Sequence, residues 1–281
     1  MGPLDDFLFV YQNLIYAIGI NSLLALAVYI SLSAGQLSLG QAAFMAIGAY
    51  SSALLTLHFD LYFPLVLLAG MILSAGFAAL IGIPTLRLSG VYLALATVGL
   101  GELVRLLLVN LEITGGALGL SGIPEKGGFA LIYGCLAVVL GGMFAVTQSR
   151  FGRAAEAMRE DETVAGIMGI NLPRYRLVVL IVSAAIAGLA GGLNAHVSSF
   201  IGPGEFGFDA AVSILSFALL GGIRTPLGPV IGAVILTVLP EMLRPIHDYR
   251  LAVNGAIIVA VVIFRPAGIL TWPIRRAGVT A

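Results

Sequence analysis

Residues Ser149 to Arg176 read SRFGRAAEAMREDETVAGIMGINLPRYR and hold nine of the chain's twenty-eight charged side chains, five of them arginines. Apolar runs too long for ordinary core elements flank this stretch on both sides. Loops on the cytoplasmic side of a membrane carry an excess of Lys and Arg. The pattern therefore predicts a cytoplasmic loop at 149–176 between membrane-spanning segments.

The composition of the 281-residue chain places it in the membrane class. Hydrophobic residues make up 59% and charged residues 10%, which leaves too little polar surface to cover a globule in water. The 36 glycines suit membrane helices whose backbones approach closely. Membrane lipid is therefore expected around the chain, and nothing predicts a nucleic-acid partner.

Nine apolar runs approach the length of about 20 residues that crosses a bilayer. We predict an all-α polytopic membrane protein whose single domain, 1–281, contains all nine. The predicted segments are 10–34, 37–57, 63–86, 90–110, 129–148, 177–200, 207–223, 226–243 and 250–266.

Because successive segments cross the membrane in opposite directions, a cytoplasmic 149–176 loop puts the N-terminus outside and the C-terminus inside. On this topology ten of the fourteen basic residues lie inside, which is the bias that the positive-inside rule requires. The acidic stretch between 111 and 125 and the sequence IGPGEFGFD after residue 200 then face outward. Docking of a soluble protein or simple solvation both explain the outward acids Glu112, Glu125, Glu205 and Asp209.

Two predicted segments differ from the others. Segment 37–57 opens with the polar sequence GQLSLGQ, and 207–223 is short and ends in GGIRTPLG. Interrupted segments at corresponding places in two halves indicate a translocation pathway. An offset of 173 residues aligns Phe44 with Phe217 and also aligns one glycine pair, which indicates a possible inverted repeat.

Polar residues in the first interrupted segment are candidates for the translocation path. Gln36, Ser38 and Gln41 would line it, while two glycines bend the backbone. The alternative is a solvated turn, but Gln41 lies within an apolar run and a buried amide needs partners. We therefore favour the path.

Four further residues join the path candidates. Glu102 and Arg105 lie one turn apart in an apolar run, where they can neutralise each other as a structural pair or contact a zwitterionic solute. Gly221 and Gly222 either line the path or let two helices pack closely.

Missing motifs argue against an enzyme. Lys126 is the chain's single lysine and does not lie in a P-loop, so this chain cannot hydrolyse ATP by that route. The three histidines form no zinc motif, and no metal or cofactor is predicted. Ser38 lacks the frame of a serine nucleophile, so an intramembrane enzyme would need Ser38 and His196 to converge. Energy is expected from a separate chain.

The loop 149–176 contains signals for a short surface helix. Asp161 can cap its start, and Asn171 with Pro173 can end it. Gly166 and Gly169 leave room for another backbone. An amphipathic helix lying on lipid headgroups would show the same pattern.

Three blocks of the sequence resemble the permease subunits of ABC importers for branched-chain amino acids. They are SAGQLSLGQAAFMAIGAY at 33–50, RLSGVYLALATVGLGELVRLLLVN followed by TGGALGLSGIP within 87–124, and GRAAEAMREDETVAGIMGINLPRYR at 152–176. The resemblance covers nearly the whole chain, and the last block is the most specific. In the family this block forms the coupling helix that enters a groove of the ATPase subunit.

The resemblance implies an assembly in a bacterial inner membrane. It would contain a second, related permease chain, two cytoplasmic ATPase subunits and a periplasmic solute-binding protein. Because relatives with similar blocks move urea, amides or aromatic acids, it leaves the solute open. Carried onto this sequence, the ATPase contacts are Glu162, Thr163, Ala165, Gly166, Met168, Gly169 and Ile170.

We therefore expect the membrane permease subunit of an ATP-driven importer for branched-chain amino acids or similar small polar solutes. The alternative is a self-contained channel or ion-coupled carrier. The two differ in whether transport requires partner chains.

Overall fold

A computed structural model describes residues 3–59, 61–85, 88, 90–242 and 269, with side chains from Tyr11 onward. Ten α-helices, three short 3₁₀ helices and one two-stranded antiparallel sheet are the regular elements of these residues, so the predicted all-α class is confirmed. The helices are α1 (Pro3–Ser33), α2 (Gln41–His58), α3 (Phe63–Thr85), α4 (Val91–Asn110), α5 (Phe129–Gln148), α6 (Arg150–Glu160), α7 (Glu162–Ile167), α8 (Leu172–Ser198), α9 (Phe208–Gly221) and α10 (Leu227–Met242).

Five helices in the described part of the chain are long and apolar enough to cross a membrane. They match five of the nine predicted segments, and they are Tyr11–Ser33, Phe63–Thr85, Val91–Asn110, Phe129–Gln148 and Leu172–Ser198. Three other predicted segments form the shorter helices α2, α9 and α10, of 18, 14 and 16 residues. The predicted segment 250–266 lies outside the described residues.

Helix α9 is shorter than a bilayer span. At 1.5 Å per residue its 14 residues rise ~21 Å, less than the ~30 Å of a hydrocarbon core. A short 3₁₀ helix at Pro203–Phe206 precedes α9, and the turn from Gly222 separates it from α10. Its bounds lie within two residues of the predicted segment 207–223. Helix α10 is described as far as Met242.

Glycines pack α8 against α2 in the centre of the bundle. A Cβ on Gly48 would overlap the backbone of Gly188, and a Cβ on Gly191 would overlap the carbonyl of Met45. Because no side chain fits between them, the two backbones touch directly, as small residues permit in membrane proteins. The side of α8 that faces α2 is therefore wholly buried.

The segment between α4 and α5 folds onto the end of α8. Its strand β1 (Leu120–Ser121) pairs antiparallel with β2 (Phe200–Ile201), which follows α8. Gly119 has a φ of +76°, and a Cβ there would overlap the carbonyl of Ile201. Glycine is required at this close approach.

Candidate functional site

The charged stretch forms two helices where the sequence predicted one. Ser149 begins α6, because its Oγ accepts hydrogen bonds from the backbone N–H groups of Phe151 (3.1 Å) and Gly152 (3.3 Å). The Phe151 ring stacks on Tyr175 of α8, with the ring centroids 4.1 Å apart. The sequence signal for α6 is this serine cap ahead of an amphipathic stretch.

Helix α7 begins as predicted. The Oδ1 of Asp161 accepts hydrogen bonds from the N–H groups of Thr163 (2.9 Å) and Val164 (3.0 Å). Two of the otherwise unpaired donors of the first turn are thus bonded, and the predicted cap is confirmed.

The predicted end of this helix at Asn171 is wrong, because the helix ends in a turn at Gly169. Gly169 has a φ of +87°; its N–H bonds the carbonyl of Gly166 (3.1 Å), and the Ile170 N–H bonds that of Ala165 (3.2 Å). This pair of bonds is a Schellman motif. Asn171 instead begins α8, because its Oδ1 accepts the Arg174 N–H at 3.2 Å.

The predicted ATPase contacts divide by exposure. Thr163, Gly166, Met168 and Gly169 are exposed, whereas Glu162 and Ile170 are half-buried. Glu162 forms an ion pair with Arg176 of α8. Ala165 is only 2% exposed, so it packs against this chain and cannot present its methyl group to a partner.

An exposed apolar surface on α7 includes two residues, Val164 and Ile167, that the predicted contact set lacks. Ile167 is 82% exposed, Met168 77% and Val164 51%. We call these three residues the α7 apolar face. Their spacing of three to four residues places them on one side of the helix, which is the sequence signal that identifies Ile167.

The polar segment before α2 is buried inside this chain. Gln36, Ser38 and Gln41 are each at most 5% exposed. The Nε2 of Gln41 donates to the Oγ of Ser183 on α8 (3.2 Å) and of Ser31 on α1 (3.4 Å). Gln41 therefore links three helices, and the partners that a buried amide needs are present.

Glu102 and Arg105 form the predicted pair. The Arg105 Nε lies 2.7 Å from the Glu102 Oε2, one helical turn away on α4. The other carboxylate oxygen accepts the backbone N–H of Phe208, the first residue of α9, at 3.3 Å. Both side chains remain about one third exposed at the surface of the chain.

The starts of α2 and α9 meet beside the middle of α4. Leu39, just before α2, and Gly207, just before α9, line one small cavity together with Glu102. The Leu39 N–H donates to the Oγ1 of Thr97 on α4 at 3.0 Å. The N-terminus of a helix carries partial positive charge, so two such ends converge near one carboxylate.

Two of the predicted path residues do not lie at the cavity beside Glu102. Gly221 and Gly222 lie at the opposite end of α9, where a Cβ on Gly221 would overlap Gly228 and Gly222 has a φ of +97°. The tight turn into α10 explains both glycines.

Ser38 and His196 do not converge. Ser38 precedes α2, whereas His196 is bonded to Thr56 near the other end of α2 through Nε2, at 2.8 Å. Fifteen residues of helix, ~22 Å, separate Gln41 from Thr56. Within the described residues, no group of three His, Cys, Asp or Glu side chains could hold a metal ion.

The sequence matches one protein family over most of its length. Residues 10–264 match the family described as "Branched-chain amino acid transport system / permease component". No solved structure matches the chain.

Individual proteins with similar sequences carry transport names. The chain is 37% identical over 284 residues to the "high-affinity branched-chain amino acid transport system permease protein LivM" of Salmonella typhimurium, covering 88% of this chain and 66% of that protein. It is 36% identical over 283 residues to LivM of Escherichia coli, with the same coverage. It is also 35% identical over 131 residues to LivH of Salmonella typhimurium, covering 46% of this chain and 42% of that protein. The chain thus spans just under two thirds of the length of the LivM proteins.

Proposed function

Since the chain belongs to the family of branched-chain amino acid transport permease components, we propose that it is the membrane-spanning subunit of an ATP-driven importer. Its solutes would be branched-chain amino acids or similar small polar molecules, and its location the inner membrane of a bacterium. LivM proteins bear the corresponding name, and the described helices suit a multi-pass membrane protein.

The observation that carries this proposal is the surface helix α7. The Asp161 side chain accepts hydrogen bonds from its first turn, and backbone hydrogen bonds of the turn at Gly169 close its end. Its apolar face is exposed to solvent. A short helix held at both ends with exposed apolar side chains is suited to enter a groove of another protein. We propose that two cytoplasmic ATPase subunits supply that groove, one for each permease chain.

A second permease chain would cover the exposed side of α4. Leu103, Leu106 and Leu107 are each at least 51% exposed there, and the pair of Glu102 and Arg105, about one third exposed, lies on the same helix. The separate LivM and LivH relatives support two different permease chains. On the opposite side of the membrane from α7, a periplasmic solute-binding protein would dock on the loop after α4.

We place the translocation path between the starts of α2 and α9 and the middle of α4. Two helix N-termini and an ion pair meet there, and broken helices of this kind mark binding sites in transporters. Gln36, Ser38 and Gln41 would border this path from inside the bundle. ATP-driven closure of the partner subunits would move α7 and open the path to alternate sides.

The arrangement of helices supports an inverted repeat. α1 is followed by non-helical backbone, the shorter α2 and then α3, and α8 is followed in the same way by α9 and α10. The first residues of α2 and α9, Gln41 and Phe208, are offset by 167 residues, so the 173-residue alignment of Phe44 with Phe217 is not the register of the helix starts.

Reconstitution tests the function. Proteoliposomes that contain this chain, a second permease chain and the ATPases should take up labelled leucine from its binding protein only when ATP is supplied. The chain alone should transport nothing. Uptake by the chain alone would instead support the self-contained channel or ion-coupled carrier.

A further inference from the structure

A cavity of about 110 Å³ opens at the end of the bundle that carries α6 and α7. Helices α1, α5, α6 and α8 and the turn after α9 form its walls. Its polar lining includes the charged side chains of Glu156, Arg159 and Arg224 and the hydroxyl-bearing Tyr29, Ser33 and Thr147. The path near Glu102 shares none of these residues, so the cavity is a separate feature.

The charged side chains that line the cavity have few ionic partners within the described part of the chain and could bind a ligand. Arg159 is held in place, because its Nη1 donates to the carbonyl of Ile223 at 3.3 Å and its Nη2 lies 3.7 Å from the carboxylate of Glu160, a long and exposed ion pair. Within the described part of the chain, no carboxylate lies within 4 Å of the Arg224 guanidinium and no cationic nitrogen within 4 Å of the Glu156 carboxylate. Two guanidinium groups and one carboxylate thus face the same space.

Part of the remaining lining is apolar, with Met143 of α5 and Val179 of α8 among its members. The cavity is smaller than the apolar cavity of about 150 Å³ that holds benzene in another protein, but it is open on one side, so a small ligand can occupy it while part of the ligand extends through the opening. Guanidinium groups bind carboxylates through charge-assisted hydrogen bonds, and a carboxylate binds an ammonium group in the same way. A zwitterion with an apolar side chain would match the guanidinium groups, the carboxylate and the apolar lining at once.

We propose that this cavity is a binding site for a small apolar α-amino acid on the α6–α7 side of the membrane. Arg159 and Arg224 hold the ligand's carboxylate, Glu156 holds its ammonium group, and its side chain lies against Met143 and Val179. Because Glu156 would repel a purely anionic ligand, a phosphate or a carboxylate without an amine fits less well.

The position of the site gives it a regulatory consequence, which rests on the proposed function. Arg159 and Glu156 belong to α6, and α6 ends next to Asp161, the residue that begins α7. Arg224 belongs to the turn between α9 and α10. A ligand that bridges them holds α6 to the bundle, so accumulated amino acid on this side of the membrane slows further uptake.

Binding can be measured without transport. Calorimetry on the purified full chain would use leucine, 4-methylpentanoate, which lacks the ammonium group, and 3-methylbutylamine, which lacks the carboxylate. Glu156→Gln should weaken leucine binding about tenfold or more and should not weaken binding of 4-methylpentanoate, whose carboxylate Glu156 repels. Arg224→Met should weaken leucine and 4-methylpentanoate and should not weaken 3-methylbutylamine, whose ammonium group Arg224 repels. Arg153→Met is the matched control on α6 outside the cavity and should change none of the three.

Three results would overturn the site. They are no leucine binding at millimolar concentration, leucine affinity that Glu156→Gln and Arg224→Met both leave unchanged, and retention of phosphatidylethanolamine in native mass spectra of the wild-type chain but not of the two variants. The last result would assign the cavity to a lipid headgroup.

The regulatory step has its own measurement in the reconstituted importer. Leucine inside the proteoliposomes should slow wild-type uptake, and Arg224→Met should remove this inhibition while uptake into empty liposomes stays normal. Equal inhibition of both proteins would overturn the regulatory role. Absence of any wild-type uptake would count against the proposed function, and calorimetry would still decide the binding site.

Discussion

Glu102 uses both of its carboxylate oxygens. One binds the Arg105 guanidinium at 2.7 Å and the other accepts the Phe208 N–H at 3.3 Å. Gly207 stands at the N-cap of α9 and has no side chain that could do this. Glu102 therefore caps α9 from a neighbouring helix, in addition to neutralising Arg105.

We expect the two roles of Glu102 to separate by substitution. Glu102→Leu should lower the yield of assembled complex more than Glu102→Gln does, because a glutamine oxygen still accepts the Phe208 N–H. Each single change leaves one charge unpaired, Arg105 or Glu102, and an unpaired arginine at depth costs roughly 2.5–3.5 kcal/mol on insertion scales; Glu102→Gln combined with Arg105→Met should therefore be milder than either single change.

Size-exclusion profiles in detergent and ATP-driven uptake measure these variants. If the double variant assembles normally yet loses uptake as completely as each single variant, the pair has a solute or gating role rather than a structural one.

Gln41 shows how far the sequence identifies a polar site. An amide within an apolar run predicts burial with hydrogen-bond partners, and both are observed. The identity of the partners was not predictable, because Ser31 and Ser183 belong to other helices, 10 and 142 residues away. Local pattern reveals that a polar group needs a partner, and only the fold supplies it.

At the scale of the element, α7 was the most predictable part of the candidate site. Its start follows from Asp161, whose side chain bonds groups only two and three residues away. Asn171 was misassigned because asparagine both ends helices and begins them, and here Pro173 follows it in the first turn of α8.

Gly166 gives the sharper test of the surface helix. A Cβ there meets Leu172 at 3.5 Å, an ordinary contact, and the residue is exposed. Gly166→Leu should therefore insert and assemble normally, while ATP-driven uptake falls at least tenfold because the side chain blocks the ATPase groove. Gly166→Ala is the matched control and should retain most uptake.

A substitution at Gly169 would not distinguish loss of the ATPase contact from loss of helix stability. Its φ of +87° strains any other residue by about 1 kcal/mol or more, so Gly169→Leu weakens α7 whether or not a partner binds. Normal uptake by Gly166→Leu would remove α7 from the ATPase interface.

At the scale of the whole molecule, the 149–176 loop and the loop that contains Lys126 lie at opposite ends of the helix bundle. Gly35, after α1, packs beside the backbone of Arg159 in α6, whereas Gly127, before α5, packs against Val197 at the far end of α8. The predicted sides of the 149–176 loop and Lys126 agree with this separation.

Thiol labelling tests the orientation in the membrane. In a Cys135→Ala background, Arg153→Cys should react with an impermeant reagent only in inside-out vesicles, and Lys126→Cys only in intact right-side-out cells. Both positions are exposed, so lack of reaction would not come from burial. Labelling of both from one side would refute the predicted topology.

The glycine contacts between α2 and α8 determine which parts of the molecule can move. Two backbones in direct contact have no layer of side chains over which to slide, so α2 and α8 should travel as one rigid body during transport. Movement during transport is then expected in helices outside this pair. In the Cys135→Ala background, a disulfide between Ser52→Cys and Gly192→Cys, whose Cβ atoms would lie 3.4 Å apart, should leave the transport cycle running. Arrest on oxidation, with recovery on reduction, would place the moving joint between these two helices.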